Sequence, residues 1–175
     1  MTTASGEEAR RLVAFARGHV IVGEGSPVRL VVFMVEGTRY AVPISAVERA
    51  YAMAAVSPLP GAPPAVLGMI NLHGRPVAVV DPRRRLGLPP REYGLAAHLL
   101  IARTPRRTLA IPTDEVLGVV ELDGAAVTPT AAVAPGLPPA GIAALPDGLL
   151  LIHDLDAFLT PEEEAQIDRA LEARE

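Results

Sequence analysis

Two short segments of the sequence carry side chains that could do chemistry. His153-Asp154-Leu155-Asp156 places three metal-capable groups within four residues, and Asp114-Glu115 is a carboxylate pair of the kind that acts as acid and base. In an extended chain, neighbouring side chains point to opposite faces, so neither set converges on one point. The pattern favours a strand end and helix cap at the first segment and a solvated turn at the second.

Two clusters of arginine are the other candidates for binding chemistry. Arg83-Arg84-Arg85 is a continuous basic run, and Arg103, Arg106 and Arg107 form a second cluster. The formal net charge of −4 gives the chain no general attraction for nucleic acid or for an anionic membrane. We therefore interpret both clusters as solvated or partner-facing surface.

Two residue types are missing from all 175 positions, and each absence excludes a class of chemistry. Without cysteine there are no disulfides, thiolate metal ligands or cysteine nucleophiles. All 16 basic residues are arginine, so there is no phosphate-loop lysine and no Schiff-base lysine. We expect no enzyme, and no cofactor, metal site or small-molecule substrate. The lack of disulfides, of a secretory leader and of a long apolar run favours a cytoplasmic location without direct membrane insertion.

The elements that must position these residues are mostly short strands. Apolar runs and alternations, separated by turn residues, predict nine of them: 30–35, 39–43, 67–72, 76–80, 98–103, 108–111, 116–122, 141–145 and 149–153. Such close spacing is typical of small β-barrels. No strand is followed by the helical pattern of 10–15 residues that a parallel crossover requires.

Helices are few in the sequence pattern. Apolar spacing and capping residues predict four helical segments: 7–17, 45–50, 82–86 and 161–175. Ser45 and Asp81 are the expected N-caps of the second and third, and Thr160-Pro161-Glu162-Glu163 is a capping box that starts the fourth. Residues 23–27 and 127–140 are predicted to be a linker and a surface loop, because glycine and proline interrupt regular structure there.

Five landmarks occur in order between residues 31 and 159. They are a hairpin at 33–44, a proline-rich connection at 58–63, a motif at 67–87, Thr113-Asp114-Glu115-Val116, and a last strand at 150–155. The third is the most specific: it reads Leu67-Gly68-x-Ile70-Asn71-Leu72-x-Gly74 and continues as Pro76-Val77-x-Val79-Val80-Asp81. In these landmarks the chain resembles CheW-type chemosensory coupling proteins.

The resemblance implies a mainly β fold of two packed, five-stranded, SH3-like β-barrels with a carboxy-terminal helix. We divide the chain accordingly. Residues 1–28 form an amino-terminal extension with a short helix, 29–160 the CheW-like double-barrel domain, and 161–175 a helix that packs on this domain.

The function that the resemblance implies is non-catalytic. Proteins of this family bridge the cytoplasmic tip of a methyl-accepting chemoreceptor and the regulatory domain of a CheA-type histidine kinase. Carried over residue by residue, the receptor-binding positions are Val47, Gly68 and His73, and the kinase-binding positions are Arg49, Ala50 and Tyr51.

Two of these positions depart from the family pattern. Position 73 is usually arginine and position 49 is commonly glutamate. Histidine cannot supply the permanently charged, five-donor fork of arginine, and Arg49 reverses a charge. An alternative hypothesis is therefore a specialised or accessory adaptor, in a motility or other chemosensory pathway, in which one of the two interfaces is lost or altered.

Overall fold

Two β-sheets and a separate β-hairpin make up most of the structure, a computed structural model that describes residues 13–16, 19–22, 27–129 and 141–174. The strands are Val13–Ala16 (β1), His19–Val22 (β2), Pro27–Val35 (β3), Thr38–Pro43 (β4), Val47–Ala52 (β5), Val66–Leu72 (β6), Arg75–Val80 (β7), His98–Arg103 (β8), Thr108–Thr113 (β9), Glu115–Asp123 (β10), Val127–Pro129 (β11), Gly141–Leu145 (β12) and Gly148–Ile152 (β13). The α-helices are Pro82–Arg85 (α1) and Pro161–Glu172 (α2), and 3-10 turns lie at Ile44–Ala46, Gly124–Ala126 and Leu155–Ala157.

The larger sheet has six strands in the order β10-β3-β4-β13-β12-β11, and the smaller has five in the order β5-β8-β9-β7-β6. The predicted mainly β fold with a carboxy-terminal helix is confirmed. The larger sheet exceeds the expected five strands because a 3-10 turn after β10 returns the chain as β11, which pairs with β12. Most neighbours are antiparallel, but β13 with β4 and β7 with β9 run parallel.

The five-stranded sheet closes on itself through the segment that follows β5. The backbone amide of Ser57 donates to the carbonyl oxygen of Met69 at 2.8 Å, and the amide of Met69 donates back to Ser57 at 2.7 Å. This bridge joins the continuation of the first strand of the sheet to β6, which is the last. The barrel is thereby held shut at one point.

The two sheets share one hydrophobic core. On β3, Val31 and Phe33 face this shared core, whereas Leu30 and Val32 face a second core that belongs to the six-stranded sheet. The apolar run of β3 is therefore buried on both faces, which is typical of a continuous apolar strand. In the five-stranded sheet, alternate residues face the shared core and a third core of the barrel.

The helix predicted at 7–17 is wrong in the part that the structure describes. Val13–Ala16 is a strand whose antiparallel partner is His19–Val22. The apolar residues of this segment also fit a two-residue alternation, and the partner strand contains three successive β-branched residues, Val20, Ile21 and Val22. Pairing therefore overrides a weak helical pattern. Residues 1–12 lie outside the described chain.

Two other local predictions are wrong. Ser45 caps no helix: a 3-10 turn at Ile44–Ala46, with no side-chain cap, leads straight into β5. Val127–Pro129 is a strand and not part of a loop, because β12 offers it a pairing edge. Pro27 begins β3, while 23–26 and 130–140, the rest of the predicted linker and loop, lie outside the described residues.

The predicted caps of both α-helices are confirmed. The Asp81 side chain accepts a hydrogen bond from the backbone amide of Arg83, and Thr160 and Glu163 form the complete reciprocal capping box. Helix α2 then packs Ile167 into the shared core.

Candidate functional site

Five of the six predicted binding residues lie on β5 or on the hairpin turn that faces it. Val47 is half-buried against the shared core, and Arg49 and Ala50 are exposed. Tyr51 is half-buried over the core of the barrel. His73 is exposed at the tip of the β6–β7 hairpin. The Tyr51 hydroxyl lies 3.5 Å from His73 Nε2, so the sets predicted to bind receptor and kinase meet in one surface.

The tip of this hairpin has the backbone of a two-residue turn with positive φ at both central positions. The φ values are 51° at His73 and 85° at Gly74. Turns of this kind match the twist of the strands that they join. The Gly74 amide donates to Asn71 Oδ1 at 2.7 Å, which holds the turn shut. His73 is therefore presented outward on a rigid turn.

Gly68 lies at a bulge in β6 and is buried. A β-carbon at this position would lie 2.1 Å from the carbonyl oxygen of Ser57, so only glycine fits where the barrel closes. The geometry gives Gly68 a role in closing the barrel. Its assignment to receptor binding stays a prediction.

Charged side chains surround the exposed part of β5. Glu48 accepts a hydrogen bond from Arg103 Nε at 3.1 Å and lies 3.7 Å from Arg75 on the hairpin. The guanidinium carbon of Arg49 lies 5.9 Å from the centroid of the Tyr51 ring, within the range of a cation–π contact. The surface thus combines three arginines, one carboxylate and the rings of Tyr51 and His73.

The family model of the CheW-like domain matches residues 29–163, more than half of the chain. The chain belongs to the CheW-like domain family. Chemotaxis protein CheW of Rhizobium meliloti (strain 1021) is 27% identical over 137 residues, which cover 77% of this chain and 88% of that protein. Chemotaxis protein CheW of Bacillus subtilis (strain 168) is 38% identical over 73 residues, 42% of this chain and 47% of that protein.

A solved structure agrees on the fold. The crystal structure of the scaffolding protein TtCheW from Thermoanaerobacter tengcongensis matches with a TM-score of 0.69 at 22% identity, over 78% of this chain and 95% of that chain. No helix in the described ranges is long and apolar enough to cross a membrane.

The segments with metal-binding or acid–base potential have structural contacts in this CheW-like fold. His153 is buried between the rings of Tyr40 and Phe158. Burial lowers its pKa from 6.5 to about 4. Asp114 accepts a hydrogen bond from the backbone amide of Glu36 at 2.9 Å. In the part of the chain that the structure describes, no group of three or more His, Asp or Glu side chains is arranged to hold a metal ion.

The interpretation of the arginine clusters as solvated or partner-facing surface is wrong for three of their members. Arg83 is buried and pairs with Glu36, and the Arg83 guanidinium also stacks on the Tyr93 ring. Arg85 pairs with Glu163 at the start of α2. Arg107, whose side chain is 14% exposed, pairs with acidic residues on the same helix. Tertiary packing brings carboxylates that are distant in sequence to each of these arginines, which the local sequence cannot show.

One edge of the six-stranded sheet exposes apolar side chains that the sequence pattern did not indicate. Strand β10 ends the six-stranded sheet, and its Leu117 and Val119 are 43% and 55% exposed. Simple alternation does not reveal them, because a bulge between Val116 and Gly118 shifts the register: Val116 packs against the shared core and Val120 against the core of the six-stranded sheet. The run 116–122 is apolar on both faces, so the sequence alone does not tell which face stays uncovered.

Proposed function

We propose that this CheW-like chain is a non-catalytic adaptor that couples chemoreceptors to a CheA-type histidine kinase. The observation that carries the proposal is the contact between Tyr51 and His73, one residue from each predicted binding set. A scaffold needs binding surfaces in a fixed relation and no convergent catalytic groups. Relatives named as chemotaxis proteins support the same reading.

Such a protein couples its two partners because the binding of one changes the binding free energy of the other. A receptor tip held at Val47 and His73 and a kinase regulatory domain held at Arg49, Ala50 and Tyr51 share a half-buried aromatic ring. A shift of that ring on binding one partner changes the surface offered to the other, and the effect is reciprocal. The adaptor acts in the cytoplasm and reaches membrane-bound arrays through its partners.

The exposed apolar edge of β10 supports an interaction role. Apolar side chains left uncovered on a terminal strand commonly mark a contact surface. In this proposal Leu117 and Val119 extend the area available to a partner beyond β5.

Titration calorimetry with separately purified partners tests the proposal. The full chain should bind the regulatory domain of a CheA-type kinase from the same genome, and a cytoplasmic receptor fragment, with micromolar affinities. Ala50→Glu should weaken the kinase complex, whereas the matched control Ala144→Glu, an exposed alanine on β12, should leave it unchanged. Absence of binding to every such kinase domain of the genome would contradict the adaptor role.

A specialised adaptor with one altered interface is the second candidate, and it rests on His73 and Arg49. Restoring the residues common in the family, with His73→Arg and Arg49→Glu together, should then strengthen binding to the regulatory domain of a kinase from another chemosensory pathway. Unchanged affinity would show that the two departures are neutral, and this candidate would lose its basis.

A further inference from the structure

The surface around β5 carries an excess of positive charge in a chain of net charge −4. Arg49 lies on β5, Arg75 begins β7, and Arg103 ends β8. Both Arg75 and Arg103 approach the same carboxylate, that of Glu48, within 4 Å. Two guanidinium groups therefore share one glutamate, and with Arg49 the three arginines exceed this carboxylate by two positive charges.

These arginines differ from those that stabilise the fold. The side chains of Arg75 and Arg103 are 58% and 67% exposed, whereas Arg83 and Arg107 are 1% and 14% exposed in their ion pairs. Among the ion pairs of the described residues, none includes Arg49, whose described contact is the Tyr51 ring. Exposed ion pairs contribute little to stability, so the cluster has no evident structural requirement.

The chemistry of the cluster favours carboxylates over phosphates. Glu48 lies between Arg75 and Arg103 and interrupts the positive charge, so the cluster is not the continuous basic surface that a phosphate backbone requires. Guanidinium forks bind carboxylates through paired hydrogen bonds. Among the described residues, the rings of this surface are those of Tyr51 and His73, and no row of aromatic side chains offers stacking positions for the bases of a single strand.

We infer that the partner segment that docks on β5 is acidic, with carboxylates that face Arg49, Arg75 and Arg103. The inference rests on the proposed function, because the docking segment is taken to belong to the kinase regulatory domain. It adds a requirement for charge complementarity to that function: this adaptor selects kinases whose docking segment carries glutamate or aspartate. Charge complementarity of this kind governs partner choice and association rate.

The test is affinity for the kinase regulatory domain as a function of charge and salt. Arg49→Glu and Arg103→Glu should each weaken binding by about tenfold or more, and Arg49→Lys by much less. Arg169→Glu, an exposed arginine on α2, is the matched control and should change affinity by less than about twofold. Replacing acidic residues of the kinase segment with arginine should restore binding to Arg49→Glu.

A second arm does not depend on the kinase. A glutamate-rich peptide is titrated into the full chain, and the backbone amide shifts of β5, β8 and the first residues of β7 are followed by NMR. Shifts confined to these strands, absent in Arg49→Glu and weakened by salt, support the inference. Their absence in the unmodified chain overturns it.

Other outcomes separate the inference from the proposed function. If kinase binding is insensitive to salt and to both substitutions, the inference that the docking segment is acidic is overturned, and the adaptor role remains intact. If no kinase domain binds, the adaptor role fails and the peptide arm alone decides the charge preference. Binding of single-stranded nucleic acid or anionic vesicles at β5, with no response to the peptide, assigns the surface to phosphate and overturns the inference.

Discussion

Gly68 and Gly74 both have positive φ, yet their surroundings differ completely. A β-carbon at Gly68 meets the Ser57 backbone, whereas one at Gly74 meets nothing within 4 Å. Gly68→Ala should therefore lower the free energy of unfolding by about 3 kcal/mol or more, and Gly74→Ala by about 1 kcal/mol. Urea denaturation measures both. Equal losses at the two positions would show that barrel closure at Ser57 does not constrain Gly68.

His153 links stability to pH. Its imidazole is buried, its Nε2 has no hydrogen-bond partner, and its pKa is lowered from 6.5 to about 4 by burial. The unfolded chain takes up this proton near pH 6.5 and the folded chain only near pH 4, so stability is full above this window and falls through it. The loss by pH 5 should be about 2 kcal/mol.

His153→Leu removes this proton uptake and should flatten the loss of stability between pH 7 and pH 5. Urea unfolding at several pH values provides the measurement. His73→Gln replaces an exposed histidine and should retain the slope of the unmodified chain. If the free energy of unfolding of His153→Leu falls with pH as steeply as that of the unmodified chain, the acid sensitivity comes from carboxylates instead.

At the scale of elements, α2 depends on ion pairs with the five-stranded sheet. Arg107, just before β9, donates to Glu164 and Asp168, and Glu164 is buried. Arg107→Met leaves the Glu164 carboxylate without its counter-charge and should cost about 3 kcal/mol of stability. Adding Glu164→Gln should recover part of the loss, because the unpaired charge is removed.

A double-mutant cycle by chemical denaturation measures this coupling. Arg106→Met, at an exposed position one residue earlier, is the control and should change stability by less than about 0.5 kcal/mol. Strict additivity of the two substitutions at 107 and 164 would mean that the pair does not hold the helix.

At the scale of the whole molecule, the two sheets should unfold together. They share a hydrophobic core. In addition, Arg83 on α1 forms an ion pair with Glu36, which lies in the turn between β3 and β4 of the other sheet. The chain contains no tryptophan, so Tyr51→Trp and Leu149→Trp would report on one sheet each. Both reporters should show one transition with the same midpoint in urea. Midpoints that differ would reveal two independent units.

The local pattern of the sequence was sufficient to predict the position of most strands and helices. Strand alternation, turn residues and capping motifs act over a few residues, so all nine predicted strands and the caps at Asp81 and Thr160 are confirmed, with ends shifted by a few residues. The positive φ values of the His73-Gly74 turn follow from the same short-range sterics. The binding roles of the six candidate residues stay predictions, since they come from the family resemblance.

Only the tertiary structure decided the features that depend on contacts between segments distant in the sequence. The parallel pairings, the strand at 47–52 in place of a helix and the burial of Arg83 all require partners far along the chain. The motif around Gly68 shows this division most clearly. Its glycines and apolar alternation determine a hairpin by local sterics, but the contact of His73 with Tyr51 exists because the closed barrel brings β5 to that hairpin.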